Sequence, residues 1–584
     1  MVNVKNLFGM AVMATALVGC ASNDDLNPNA NEGAGKAGEA YASFKINLPT
    51  VSGTRAPGTG NPDGTPDFKP GTAAEYEVKN GTILIFDNDG KFVESAKLGN
   101  MNPWVDVNKD GVTTAAIATV KLTKVELGEN KYKALVLLNN NTGTDDQKVT
   151  LPTGTITYDE WNKVAKNAKA DKYLLTDGIF MANAPMFTST TTDPTTLVPV
   201  ANVCASPEEA KAKTATTIYV ERGLAKVTMK NFDPSYTIAA GTYKDDEVVI
   251  NTWQLDVTNK STYPVHQTGG LKTIWNQTWA DRFYDKDNGV FKRVYWGVDP
   301  NYSDNKYNEG DATVSPAKSA LECCKDAFNM ISNAEVVGLP GDDKPQYCLE
   351  NTFNLANMMQ GQTTRVVFKA VYTPKALKSE TVKTFYKIGN NTAVWKGADL
   401  ETQIKTLAIN AMKITDPVEQ AMYKVDLAKG SNISGKAGQH LIAADNITFD
   451  PKTSTKTSQV TADVIKEVNE KLGLSEDPTT HKVIVGISTY LNGEAYYIAR
   501  IKHFNELTPW IPGKAYDSND EKYLGRYGVL RNNWYELSVK SISNLGYPEV
   551  PEVKPNVPDD ENDKYINVEV KILDWAKRTQ QVEL

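Results

Sequence analysis

Tyr41-Ala-Ser-Phe44-Lys-Ile46-Asn-Leu48 alternates apolar and polar side chains, the period of a strand with one buried face. Downstream lie Ser52-Gly-Thr-Arg55-Ala56-Pro57-Gly58 and a Gly-, Pro- and Asp-rich run to about Gly71. A lone strand is thereby parted from the rest of the chain by roughly twenty residues that hold an arginine, a connection uncommon in compact domains unless it has a function.

Beyond this loop the pattern is mostly β. Thr82-Ile-Leu-Ile-Phe86, Asp87-Asn-Asp-Gly90 and Lys91-Phe-Val93 form a hairpin signal. Tyr132–Leu138 reads as a doubly buried strand, and Ile218–Met229 as one long strand, with a domain boundary placed just before it. Further strands are expected at Asn251–Val257, Arg365–Tyr372, Lys482–Ser488, Ala495–Ile501 and Trp534–Ile542. Helical spacing marks Tyr158–Ala168, 205–214, Ser319–Ser332 and Val460–Leu472. No βαβ rhythm, G-x-G-x-x-G or Walker loop supports a nucleotide fold.

The C-terminus repeats the opening theme. Pro548, Pro551, Pro555 and Pro558 favour an extended spacer that holds the terminal residues away from the domain. Then Ile566, Val568, Val570 and Ile572 share one face of a strand that runs on to Trp575, with Asn567, Glu569 and Lys571 on the other. An amphipathic strand on a tether needs a partner sheet.

At the other end, Lys5 precedes a short apolar stretch, Leu7–Val18, too short to span a bilayer and better read as a signal-peptide core. It ends in Leu17-Val18-Gly19-Cys20, which resembles a bacterial lipobox and would make Cys20 the lipidated N-terminus. Ala21–Asp25 resembles the acidic tract of surface-exported Bacteroidetes lipoproteins, and residues 21–40 read as a tether. No other segment approaches 18 consecutive apolar residues, so the mature chain is expected to be anchored or released and not to span a membrane, while the lipoprotein resemblance implies an outer-membrane precursor.

Composition narrows the chemistry. The 584 residues carry 63 Lys+Arg against 71 Asp+Glu, a net charge of -8 that disfavours a nucleic-acid partner. Hydrophobic residues at 40% supply enough core to exclude wholesale disorder. Only 4 histidines are present, and His266, His440, His481 and His503 show no metal-ligand spacing, so no metal and no cofactor is expected. Asp106-Val-Asn108-Lys-Asp110-Gly111 starts like a calcium loop but has Ile117 where a bidentate Glu belongs, and reads as a polar turn. No catalytic constellation stands out, and the expectation is a non-enzyme. Of the cysteines beyond Cys20, a bridge from Cys323 or Cys324 to Cys348 is a candidate in an oxidising compartment, with plain buried thiols the alternative.

Taken together, the lipobox, Arg55-Ala56 after a short strand, Val220–Val227, Tyr347–Phe353, Tyr497–His503, Arg531–Ile542 and Val568–Trp575 resemble the Bacteroidales type V pilins, specifically the major (shaft) subunit of Mfa-type short fimbriae. The resemblance spans essentially the whole chain. It implies a mainly β fold of two β-sandwich (transthyretin-like) domains with short helical insertions, 56–217 and 218–547. Around them it implies a signal peptide at 1–19, a propeptide at 20–55, a spacer at 548–564 and a donor strand at 565–584. It further implies cleavage at Arg55-Ala56 by a trypsin-like, Arg-specific protease. The strand bearing Phe44, Ile46 and Leu48 would then leave, and the donor strand of another copy, with Ile566, Val568, Val570, Ile572 and Trp575, would fill its place. Implied partners are further copies of the chain, accessory tip and anchor pilins, and receptors on host or bacterial surfaces. The implied roles are adhesion, coaggregation and biofilm formation. A monomeric surface lipoprotein that binds glycan or protein is the alternative reading, and a tip or accessory pilin a third.

Overall fold

The computed structural model describes residues 38–49, 71–99, 105–109, 112–140, 149–164, 178–230, 233–284, 292–336, 344–429, 439–452, 454–504, 514, 516–560 and 566–573. The fold is mainly β, as the sequence pattern leads one to expect. Among the described residues the first ten strands are β1 (Ala40–Pro49), β2 (Gly81–Asp87), β3 (Phe92–Lys97), β4 (Val105–Lys109), β5 (Val112–Leu122), β6 (Tyr132–Leu138), β7 (Met181–Asn183), β8 (Val198–Pro199), β9 (Thr216–Arg222) and β10 (Ala225–Met229). Nine of them form one sheet in the order β3-β2-β6-β7-β9-β1-β5-β4, with β8 also on β6.

Alternation fixes how this sheet packs. Ile83 and Ile85 of β2, Ala134, Val136 and Leu138 of β6, and Ala40, Ala42, Phe44, Ile46 and Leu48 of β1 all enter one core, so strands distant in the sheet order face each other across it. The intervening residues Leu84, Phe86, Leu135 and Leu137 form a second cluster with Trp161 of the Tyr158–Val164 helix and with Val265 and Leu349. That explains why Tyr132–Leu138 reads as doubly buried.

β10 begins a different sheet, between strands Gln346–Cys348 and Trp534–Ile542, with Ile566–Leu573 at the far edge. It packs against a second four-stranded sheet, ordered Ser235–Thr237, Glu247–Asp256, Arg365–Thr373 and Glu494–Arg500, over a core that includes Val227, Trp253, Phe368, Tyr497 and Tyr535. The stretch expected as one long strand is thus two. Gly223 and Leu224 separate β9 from β10, and the change of sheet falls there.

Three of the four expected helices occur as Pro207–Ala212, Ala320–Ala327 and Ala462–Lys471, each opened by a Ser or Thr side chain accepting a backbone N–H, and the fourth is described over Tyr158–Val164. The longest helix among the described residues, Gly397–Ala411, lies outside the expected set. Its Leu400, Ile404 and Ala408 recur every four residues and pack with Val464 and Val468 in a separate helical core.

Candidate assembly site

β1 lies in the middle of its sheet. It runs antiparallel to β5 from Ala40↔Leu122 to Pro49↔Val112, and parallel to β9 from Phe44↔Thr216 to Asn47↔Tyr219. Tyr41 also exchanges two backbone hydrogen bonds with Cys204, at 2.9 and 2.8 Å. Phe44 and Ile46 are wholly buried and Leu48 is 1% exposed. Most of the other face is buried too, which corrects the one-faced reading: Tyr41, Ser43 and Asn47 are covered, and of that face Lys45 alone among the described residues is exposed. A strand with neighbours on both sides and the Pro207–Ala212 helix near Tyr41 has little surface left for water. Ser43 of the strand bonds Thr119 at 2.9 Å, and Glu39, just before it, pairs with Lys121 at 2.7 Å. Withdrawing β1 leaves backbone N–H and C=O groups of β5 and β9 without partners and opens the apolar core along its length, a combination that only another strand satisfies well.

The C-terminal strand Ile566–Leu573 pairs antiparallel with Trp534–Ile542, from Trp534↔Leu573 to Ile542↔Ile566. It is the edge strand of its sheet, and Val568 packs partly buried on the sandwich core. Cys20, Arg55, Ala56 and Trp575 lie outside the described residues.

The proline-rich spacer does not hold the terminal strand away from the body, in contrast to the expectation. Val553 is buried, Val550 N–H donates to Asn333 at 2.7 Å, and Arg365 donates to the Pro551 carbonyl at 2.7 Å. Pro558 bridges Met359, and Asp559 and Asp560 are both buried. Thr363 and Tyr516 hydroxyls donate to Asp559 at 3.0 and 3.2 Å, while Asp560 accepts from Tyr527 and pairs with Arg526 at 3.1 Å. Proline favours extended backbone, which suits a docked strap as well as a free spacer; the buried acids decide between them.

The first described residues after Arg55 are clamped to the sheet of β10. Glu75, in the short helix Ala73–Tyr76, pairs with Lys226 of β10 at 2.6 Å and accepts from the Tyr347 hydroxyl at 2.6 Å. Tyr347 and Trp534 flank Lys226 on the neighbouring strands, and the Lys226 ammonium stands 3.6 Å over the Trp534 ring. Arg222 donates to the Glu75 carbonyl at 2.8 Å. No sequence pattern announced this group, because its members come from four distant segments.

Cys323, Cys324 and Cys348 are free, buried thiols, which corrects the candidate bridge. Cys323 and Cys324 sit in the cluster around Tyr307 and Phe328, whereas Cys348 belongs to the sandwich core. Burial pushes the thiols of Cys324 and Cys348 up to about 12. His503 is structural: its ring nitrogens bond the Tyr535 hydroxyl at 2.8 Å and the Tyr295 carbonyl at 3.0 Å. Among the described residues no three His, Cys, Asp or Glu side chains are placed to hold a metal, and no helix is long and apolar enough to cross a membrane.

Residues 488–581 match the family model "Major fimbrial subunit protein type IV, Fimbrillin, C-terminal". No curated protein matches the chain in sequence. Among solved structures, a protein of Parabacteroides distasonis assigned to cell adhesion is 11% identical, with 92% of this chain and 99% of that one covered, at a TM-score of 0.36. One of Bacteroides eggerthii, also assigned to cell adhesion, is 10% identical over 94% of this chain and 100% of its own, at 0.31. The C-terminally truncated tip fimbrial protein Mfa3 of Porphyromonas gingivalis is 10% identical over 92% and 100%, at 0.27.

Proposed function

We propose, from the premise that this chain carries the C-terminal region of a fimbrillin, that it is a structural subunit of a cell-surface fimbria that polymerises by strand exchange. In this reading a trypsin-like protease cuts the lipid-anchored precursor at Arg55-Ala56 and β1 leaves. The terminal strand of another copy then occupies its place, and adhesion, coaggregation and biofilm formation follow from the filament. The observation that carries the reading is the position of β1: a segment N-terminal to an arginine-bearing loop forms the middle of a sheet, between β5 and β9.

The physical chemistry is β-augmentation. Main-chain hydrogen bonds supply the bulk of the junction, and alternate side chains fill pockets. Phe44, Ile46 and Leu48 at about 1.5–3 kcal/mol each put roughly 5–9 kcal/mol of apolar burial in the departing strand. The apolar side chains of Ile566, Val568, Val570 and Ile572 return a gain of the same order, before ordering costs. Donation from one copy to the next is head-to-tail and does not close, so it extends as a filament. The pairing of Ile566–Leu573 with its own sheet edge is, in this reading, the parked state before assembly.

Two variants test it. Deletion of 565–584 is expected to abolish filaments and SDS-resistant ladders and leave a folded monomer; ladders of wild-type length would sink the mechanism. Arg55→Ala precursor is expected to stay lipidated and unpolymerised, and N-terminal sequencing of surface-extracted wild-type protein to start at Ala56.

A further inference from the structure

We infer that the loop Asp299–Asn305 walls a binding site for a neutral sugar ring. A cavity of about 450 Å³ opens there, with Tyr263, Tyr302 and Pro300 as its apolar lining and Ser303, Asp304 and Asn305 as its polar lining. That volume lies in the range of small-ligand sites.

The loop is held rigid from beneath. Asp299 is buried, and its carboxylate accepts from Asn301 N–H at 2.7 Å, Thr352 N–H at 2.8 Å and Asn259 Nδ2 at 2.6 Å. The Tyr302 carbonyl accepts from Asn354 N–H at 2.9 Å, the Asp304 carbonyl from Asn357 Nδ2 at 3.2 Å, and Asn301 Oδ1 from the Tyr307 hydroxyl at 2.7 Å. Burial of Asp299 raises its carboxyl, which marks how much desolvation the fold accepts to brace this loop. Yet the side chains of Ser303 and Asn305 are exposed and take no part in this bracing. A backbone fixed by buried donors beneath outward-facing polar side chains is preorganised for a ligand, so little ordering cost remains at binding.

The lining chooses the ligand class. Tyr and Pro faces suit the C–H face of a pyranose. Ser303, Asp304 and Asn305 offer hydroxyl, carboxylate and amide groups suited to ring hydroxyls. No Lys or Arg lines the cavity, and Asp304 already holds Lys306, so an anionic sugar or phosphate finds a carboxylate and no cation of its own.

Saturation-transfer NMR and calorimetry on the full, unassembled chain test the site, with D-glucose, D-galactose, D-mannose, L-fucose and N-acetyl-D-glucosamine as probes and N-acetylneuraminic acid as the anionic control. At least one neutral sugar is expected to bind in the millimolar range. Asn305→Ala and Ser303→Ala, exposed positions that leave folding intact, are expected to weaken it roughly three- to tenfold each, the loss of one hydrogen bond. The inference is overturned if none of the neutral sugars binds, if both variants bind as well as wild type, or if the anionic sugar binds best. Because the assay needs no filament, its failure leaves the strand-exchange reading untouched.

Discussion

Glu75 and Lys226 meet across 2.6 Å with 1% and 4% of their side chains exposed. Removing one partner of such a pair strands a buried charge, so Lys226→Met is expected to lower stability by about 3–5 kcal/mol in denaturant unfolding. The double variant Lys226→Met/Glu75→Leu should recover much of that loss. Burial alone would raise the Glu75 carboxyl, but the hydrogen bonds from Lys226 and Tyr347 bring it below its ordinary range. A lowered carboxyl stabilises the fold above its unfolded value and loses that contribution as pH falls through the folded one. The Glu75 contribution should thus be level at neutral pH and fade below about pH 4.

Phe44 is wholly buried in the core beneath β1. Phe44→Ala in the uncut precursor is expected to cost about 3–5 kcal/mol. The same substitution should leave no trace in the mature chain once residues 1–55 are gone. A difference that persisted after cleavage would mean that β1 stays in place.

Asp559 behaves oppositely to Glu75. Burial pushes its carboxyl up to about 6, against the pull of Arg500 and the hydrogen bond from Thr363, with Asp560 adding to the rise. Tyr516 donates to Asp559, while Tyr527 and Arg526 hold the adjacent Asp560. The folded state therefore keeps this proton while the unfolded strap gives it up, and docking weakens as pH rises from about 4 to 6. Amide exchange of 548–560, corrected for intrinsic rates, should be slower at pH 5 than at pH 7. Asp559→Asn should flatten that difference.

Cys204, Cys323, Cys324 and Cys348 are all buried and free. Native protein should resist a thiol reagent, and all four should react once it is unfolded. Electrophoretic mobility should be the same with and without reductant.

Strand period and turn chemistry make much of the β framework readable. Trp534–Ile542 and Tyr132–Leu138 have the bounds their apolar runs suggest, and β1 differs by a residue at each end. The partners of those strands are not readable, because pairing is a long-range choice. Nothing local in Tyr41–Leu48 says that β5 and β9 lie on either side of it, so its polar face reads as exposed. Ile218–Met229 carries its apolar residues at even positions to Val220 and at odd positions from Ala225, so a shift of phase across Gly223 accompanies the change of neighbours that divides it. Prolines in 548–558 specify extended backbone, but whether that backbone is solvated is decided by Asp559, Asp560 and Val553. The Gly397–Ala411 helix does carry its signal in Leu400, Ile404 and Ala408, a short apolar stripe that stronger β patterns on either side obscure.

β9 borders β1, and two residues further on the chain becomes β10, which borders Trp534–Ile542, the strand that in turn holds Ile566–Leu573. In the proposed filament, where the terminal strand has left Trp534–Ile542 for another copy, a load entering at the β1 position would pass from β9 through one nearly continuous stretch of backbone to β10 and its flanking ladder. Strands lying alongside one another along the direction of pull load their hydrogen bonds in parallel rather than one after another. The Gly223–Leu224 step is the narrowest section of that route, and its grip on the rest of the molecule comes from Leu224, wholly buried, and from Asn532 N–H donating to the Leu224 carbonyl at 2.8 Å.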